Sequence, residues 1–259
     1  MAKAPAPDGA MAHQIGIWLS ILVGFQIMAH LAARLLDFER QAQAGVAMAS
    51  TCANTAFLGT AVLTSLLGPS ILPMAAAFVA VENIVVVGIA VAVLKLSKGG
   101  DGGPMAIGKT LLSGLANPTS MGALIGFLIA VSGYTLPAFL ARPLEMLGGA
   151  ASPAGLVALG IVMATTQSAI SSRWPEIVLV VALKCVALPL TMLAAFTYAG
   201  APPQIIVAAT VLAACPSAVN VFIQARQAGI WVEQAATAVF ITTLVSIVTV
   251  TLAASLAPQ

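Results

Sequence analysis

Long apolar stretches separated by short turn-forming clusters dominate the chain. No Asp, Glu, Lys or Arg falls between Asp8 and Arg34, between Arg40 and Glu82, between Lys109 and Arg142, or between Lys184 and Arg226. Each stretch exceeds the ~20 residues that one helix needs to cross a hydrocarbon core, and several hold most of two helices. Turn chemistry marks the breaks: Gly68-Pro69, the glycine-rich segment 98–104, Gly133, Arg173-Trp174-Pro175, Gly200-Ala201-Pro202-Pro203 and Gln227-Ala228-Gly229. These predict about eight spans, at 13–35, 44–67, 70–96, 108–131, 150–167, 175–198, 203–225 and 233–257. Residues 137–148 carry Arg142 and Glu145 in an apolar setting and predict a short helix lying in the interface.

Composition strengthens the membrane reading. Hydrophobic residues make up 60% of the chain, charged residues 7%, and the mean hydropathy is +1.06, whereas a soluble domain carries roughly 25% charge. Orientation follows from the basic residues. Arg34 and Arg40, then Lys95, Lys98 and Lys109, then Arg173, then Arg226 occupy alternate loops, so seven of the ten lie on one face. Cytoplasmic loops retain positive charge, which predicts a multi-pass protein of a bacterial inner membrane with both termini non-cytoplasmic. Segment 1–12, with two prolines and no apolar core, reads as a disordered tail and not as a signal peptide. The partner implied is the lipid bilayer, and a net charge of +2 points to no nucleic acid. Cys52, Cys185 and Cys215 fall inside spans and read as small hydrophobes. Two histidines build no metal site. With no His-Glu-x-x-His, Gly-x-Ser-x-Gly or phosphate loop, the chain reads as a protein without catalysis or cofactor.

Two spans carry helix-interrupting chemistry at their midpoints. Ser50-Thr51-Cys52-Ala53-Asn54-Thr55-Ala56-Phe57 in the second has a counterpart in Ala213-Ala214-Cys215-Pro216-Ser217-Ala218-Val219-Asn220 in the seventh. Broken helices persist at bilayer depth only where protein or a watery cavity covers the freed backbone groups. Matched breaks in two halves therefore mark a transport site. The spans are five apart, so the copies run in opposite directions through the bilayer, an inverted repeat. Pro216 removes one helical hydrogen bond and costs ~3 kcal/mol in an ordinary helix, while Gly59 loosens the other segment.

Asn54, Ser217 and Asn220 offer neutral hydrogen bonds, and two half-helix N-termini direct partial positive charge at the break, a combination that suits a carboxylate. The competing reading is helix glue, at about 0.6 kcal/mol per residue. Glu82 and Lys184 are the ionisable residues deep in spans, each costing ~2.5–3.5 kcal/mol to insert. Glu82, with Asn83 beside it, is a candidate carrier of a coupling proton. Lys184 is a candidate partner for Glu82, and a structural ion pair is the alternative for both. Gly122 and Gly126 form a close-packing face. Trp18, Trp174 and Trp231 fall near predicted span ends and read as interfacial anchors.

Four segments taken together carry a resemblance: Asn54-Thr55-Ala56-Phe57-Leu58-Gly59, residues 150–160, Leu183-Lys184-Cys185-Val186-Ala187-Leu188-Pro189-Leu190, and Cys215-Pro216-Ser217-Ala218-Val219-Asn220-Val221-Phe222. In this order they resemble the auxin efflux carrier family, which includes bacterial malonate-type permeases. The resemblance implies an all-α polytopic membrane protein with a sodium/proton antiporter-like fold. Such carriers have ten helices in two inverted repeats, crossing where the fourth and ninth are discontinuous. On that pattern the chain begins at the family's third helix, two spans short, so that either its start is truncated or a homodimer or a second subunit completes the scaffold. The order becomes a tail at 1–12, first-repeat transport helices at 13–97, a cytoplasmic loop at 98–109, scaffold helices with the interfacial segment at 110–172, and second-repeat transport helices at 173–259. One departure is plain: family members continue Phe-Leu-Gly-Leu-Pro-Leu, whereas here Gly59 leads into Thr60-Ala61-Val62.

The function implied is secondary active transport of a small organic anion, malonate or another carboxylate, by alternating access with coupling to protons or Na+. Asn54, Gly59, Pro216, Ser217 and Asn220 would form the substrate site. Two alternatives stand beside it: a sodium- or proton-coupled symporter of the bile-acid or antiporter type, and a non-transporting subunit or truncated carrier.

Overall fold

The computed structural model of the protein describes residues 9–99, 118–165 and 173–256. Among them every regular element is a helix, and the one departure is an isolated antiparallel bridge between Ala53 and Ser217. The first span is α1 (Gly9–Leu35). The second is interrupted: α2 (Arg40–Thr51) gives way to Cys52-Ala53-Asn54, then a π-helical turn (Thr55–Gly59) leads into α3 (Thr60–Leu67). Gly68, at φ 76°, ends it. The third span holds α4 (Leu72–Val81), a π-helical turn (Glu82–Val86) and α5 (Val87–Leu96).

The fourth and fifth spans contain α6 (Pro118–Val131) and α7 (Ala138–Thr165). The sixth is α8 (Trp174–Val181), a π-helical turn (Ala182–Ala187) and α9 (Leu188–Tyr198). The seventh is interrupted like the second, with Cys215-Pro216-Ser217-Ala218 between α10 (Pro203–Ala214) and α11 (Val219–Ala228). Gly229, at φ 64°, closes it, and α12 (Val232–Ala254) is the eighth. Four of these are uninterrupted and apolar enough to cross a bilayer: Met11–Leu35, Pro69–Leu96, Trp174–Tyr198 and Val232–Ala254.

This is an all-α polytopic membrane protein, and its helix order follows the eight segments read from the sequence. Differences lie at the ends. Helix α1 starts at Gly9, inside the segment assigned to the tail, because Ala10, Met11 and Ala12 are strong helix formers and no proline between Pro7 and the span stops the helix from extending back. The interfacial segment at 137–148 and the span at 150–167 form one 28-residue helix. The sequence at 148–150 allowed a break but did not force one, since Gly148 keeps a negative φ and alanines follow. Residues 1–8, 100–117 and 166–172 lie outside the described residues, and with them most of the loop at 98–109 and the start of the fourth span.

Two buried clusters carry the packing. One joins α2, α5, α8, α11 and α12; the other joins α1, α4, α9 and α10. In the second, Trp18 stacks on Phe78 with ring centroids 4.8 Å apart, and Phe78 meets Phe196 edge-on at 6.0 Å. Trp18 is therefore core and not an interfacial anchor, because it lies on the face of α1 that packs against Phe78. Trp231 is buried as well: its indole Nε1 donates to Glu176 Oε2 at 2.5 Å and its ring lies against Gly45, where a Cβ would overlap it. Trp174 is exposed at the start of α8.

Candidate functional site

An unbroken helix would bond the N–H of Ala53 to the carbonyl of Ala49, and the N–H of Ser217 to the carbonyl of Ala213. Both bonds are open here, and all four groups have found other partners. Ala53 N donates to Glu82 Oε1 at 3.0 Å, and the Ala49 carbonyl accepts from the Ser217 hydroxyl at 2.7 Å. Ser217 N donates to Thr242 Oγ1 at 3.2 Å, and the Ala213 carbonyl accepts from Lys184 Nζ at 2.8 Å. The two extended segments then pair with each other: Asn54 N donates to the Pro216 carbonyl at 2.8 Å and Ala218 N to the Cys52 carbonyl at 2.9 Å. Leaving such groups unpaired in an apolar interior costs ~1–3 kcal/mol each, so these caps permit two helices to break at one point.

The pairing corrects the repeat register read from the sequence. Ala53 pairs with Ser217, so Cys52 faces Ala218 and Asn54 faces Pro216 across the bridge, and the positions equivalent in the two copies are Cys52 with Pro216 and Asn54 with Ala218, one residue off the alignment of Cys52 with Cys215. The asparagines are thus not equivalent. Asn54 precedes the first half-helix, while Asn220 is the second residue of α11. Both are half-buried. Among the described residues the Asn54 side chain makes no hydrogen bond, and Asn220 Oδ1 accepts one long bond from Gln224 at 3.4 Å. Their amide groups remain open to a ligand.

Three other predicted site residues shape the crossing. Ser217 is buried with its hydroxyl committed to Ala49, and Pro216 is buried with its carbonyl committed to Asn54. Gly59 is buried where a Cβ would stand 2.5 Å from Leu212 Cδ2 and 3.3 Å from Cys215 Sγ. Beyond loosening its own segment, it lets the first broken helix approach the second.

Glu82 and Lys184 each sit in a π-helical turn, a local widening of the helix that recurs at functional positions. They are 2% and 0% exposed. Among the described residues no ion pair joins them. Glu82 grips the first crossing, with Oε2 also accepting from Thr55 Oγ1 at 3.2 Å, while Lys184 grips the second. Their charges compensate across the crossing rather than by contact. Asn83 turns its amide back to the Val79 carbonyl at 2.8 Å on its own helix.

Sequence reasoning missed Thr55, Thr242 and Thr249, the last of which donates to the Ala214 carbonyl at 3.2 Å. A threonine in an apolar span ordinarily bonds its own preceding turn, as Thr242 also does to Ala238 at 2.7 Å. Nothing in the sequence separates Thr242 from Thr243, which bonds only along its helix.

Residues 104–254 match the family described as membrane transport protein, more than half of the chain. The chain belongs to this family, that of the auxin efflux carriers. The matched residues take in α6 to α12 and the whole second crossing. The first crossing lies before them and is recognised by its pairing with Ser217. The chain is also 30% identical over 201 residues to a protein of Rhizobium meliloti (strain 1021) named "Putative malonate transporter". That similarity covers 76% of this chain and 62% of the relative, so the chain spans under two thirds of the length of the curated relative it matches. Family and fold together make it a multi-pass membrane protein of a transport family.

Proposed function

We propose that the chain is a secondary active transporter of small organic anions, with malonate-type carboxylates as its substrate class. The observation that carries this reading is the crossing, where two broken helices present Asn54 and Asn220 with open amides beside the starts of their half-helices. Peptide dipoles give those ends partial positive character, which favours a carboxylate without a lysine in contact with it. The name of the Rhizobium meliloti relative points to the same class.

Placement in a bacterial inner membrane with non-cytoplasmic termini is supported by contacts between loops. Arg173 bonds Glu39 at 3.0 Å, and the Lys98 ammonium lies 4.0 Å from where a Gly229 Cβ would stand. The turns holding Arg34 and Arg40, Lys95 and Lys98, Arg173, and Arg226 therefore gather on one face, as a cytoplasmic face requires.

Uptake of labelled malonate into proteoliposomes tests the proposal. Saturable uptake is expected in the full chain, reduced about tenfold or more in Asn220→Ala, since a hydrogen bond to a charged group is worth ~1.5–3 kcal/mol. Equal uptake by Asn220→Ala at matched protein content would remove Asn220 from the site, and no uptake of any carboxylate would remove the reading.

A further inference from the structure

The first crossing already holds a carboxylate. Glu82 lays Oε1 on the N–H of Ala53 and Oε2 on the hydroxyl of Thr55. Both donors stand at the start of the half-helix Thr55–Leu67, the positive end of its dipole. At the matching place in the second crossing the N–H of Ser217 is met by a neutral hydroxyl, that of Thr242. The backbone thus needs an acceptor there, not an acid. An acid in one copy and a hydroxyl in the other asks for a further reason, and Asn54, lying between the two donors with its amide open, supplies the setting.

We propose that Glu82 is an internal competitor for the substrate: its carboxylate occupies the donors that a substrate carboxylate takes, and it yields them by accepting a proton. This rests on the organic-anion reading above. The exchange balances. One carboxylate leaves Ala53 N–H and the Thr55 hydroxyl and takes up one proton from the medium, while one carboxylate of the substrate takes its place, so the charge held by these two donors is unchanged. The ionisable groups facing Glu82 are Lys184 from the sixth span and the thiols of Cys52 and Cys215. Helix α6, packed on the same turn, carries none, and on α1 His30 lies beside Ile89 and Val93, farther along the third span. Lys184 stays on the Ala213 carbonyl throughout and provides the fixed positive charge.

The test counts protons when malonate is added to the purified full chain in weak buffer. About one proton taken up per malonate is expected, with the apparent Kd weakening up to tenfold per pH unit once Glu82 is ionised. Glu82→Gln keeps an acceptor for Ala53 but carries no proton; it should bind malonate with a flat pH profile, and any uptake left in it reports the ligand's own protonation. Thr55→Val should weaken malonate several-fold, and Thr55→Ser, which keeps the hydroxyl, should recover most of that loss. Malonate bound without proton uptake by wild type, or the wild-type pH slope kept in Glu82→Gln, would overturn the competition and leave the transport reading standing. If malonate, succinate and acetate all fail to bind, the organic-anion reading fails and this proposal with it. Should Glu82→Gln not fold, the wild-type proton count decides alone.

Discussion

The two crossings solve one backbone problem with different chemistry. Each opens the helix at its midpoint, and each caps one freed N–H and one freed carbonyl from side chains elsewhere. In the first, an acid takes the N–H and a hydroxyl meets the carbonyl; in the second, a hydroxyl takes the N–H and an ammonium meets the carbonyl. Proline breaks the second, whereas the first has only Gly59 and relies on its caps. The difference teaches where charge belongs. Glu82 and Lys184 stand on opposite members of the pair, so the crossing is neutral in sum while each half is polarised.

That balance is broken most severely at Lys184. Lys184→Met leaves the Ala213 carbonyl without a partner and Glu82 without its compensating charge, and loss of one member of a buried charge pair costs about 3 kcal/mol or more. A large fall in thermal stability in detergent is expected, with transport lost. The double variant Lys184→Met/Glu82→Gln should regain part of it, because both charges are then gone. If the double variant falls by the full sum of the two singles, the charges do not compensate across the crossing.

A smaller effect is expected at the neutral cap. Thr242→Val removes the acceptor for Ser217 N and should cost ~1–3 kcal/mol, the range for an orphaned buried donor. Thr242→Ser should restore it. Indifference of stability to Thr242→Val would mean that Ser217 N has another acceptor, and the two crossings would lose their correspondence.

The spans were legible in the sequence because silent apolar runs and glycine turns are strong one-dimensional marks. Gly68, Gly133, Gly200 and Gly229 all adopt the positive φ that ends a helix. The interruptions were legible for the same reason, through Pro216 and the small residues around Ala53. What the sequence hid is lateral. Which residue faces which across the bridge is set by backbone pairing, so the conspicuous Cys52 and Cys215 suggested a register one residue away from the true one. Thr242 acts through a contact 25 positions distant, invisible in a helix where its neighbour Thr243 bonds its own preceding turn. Trp18 and Trp231 were misplaced because nearness to a span end does not say which way a ring turns, and both turn into packed surfaces.

The smallest expected effect on stability separates ligand chemistry from packing. Asn54 is surrounded by committed groups: its own N–H is bonded to Pro216, and its neighbours Ala53 and Thr55 are held by Glu82. Its side chain, in contrast, makes no hydrogen bond among the described residues, and no cap bond to its half-helix. Truncation therefore removes nothing that the resting fold uses, and Asn54→Ala should change stability by no more than ~0.5 kcal/mol, as a substitution outside packed or bonded features does. Transport should respond quite differently, falling about tenfold or more if the open amide meets a carboxylate. Melting curves and proteoliposome uptake on the same preparation provide the comparison. A drop in stability with transport unaltered would make Asn54 a helix cap, and a drop in transport alone would place a ligand at the start of the first half-helix.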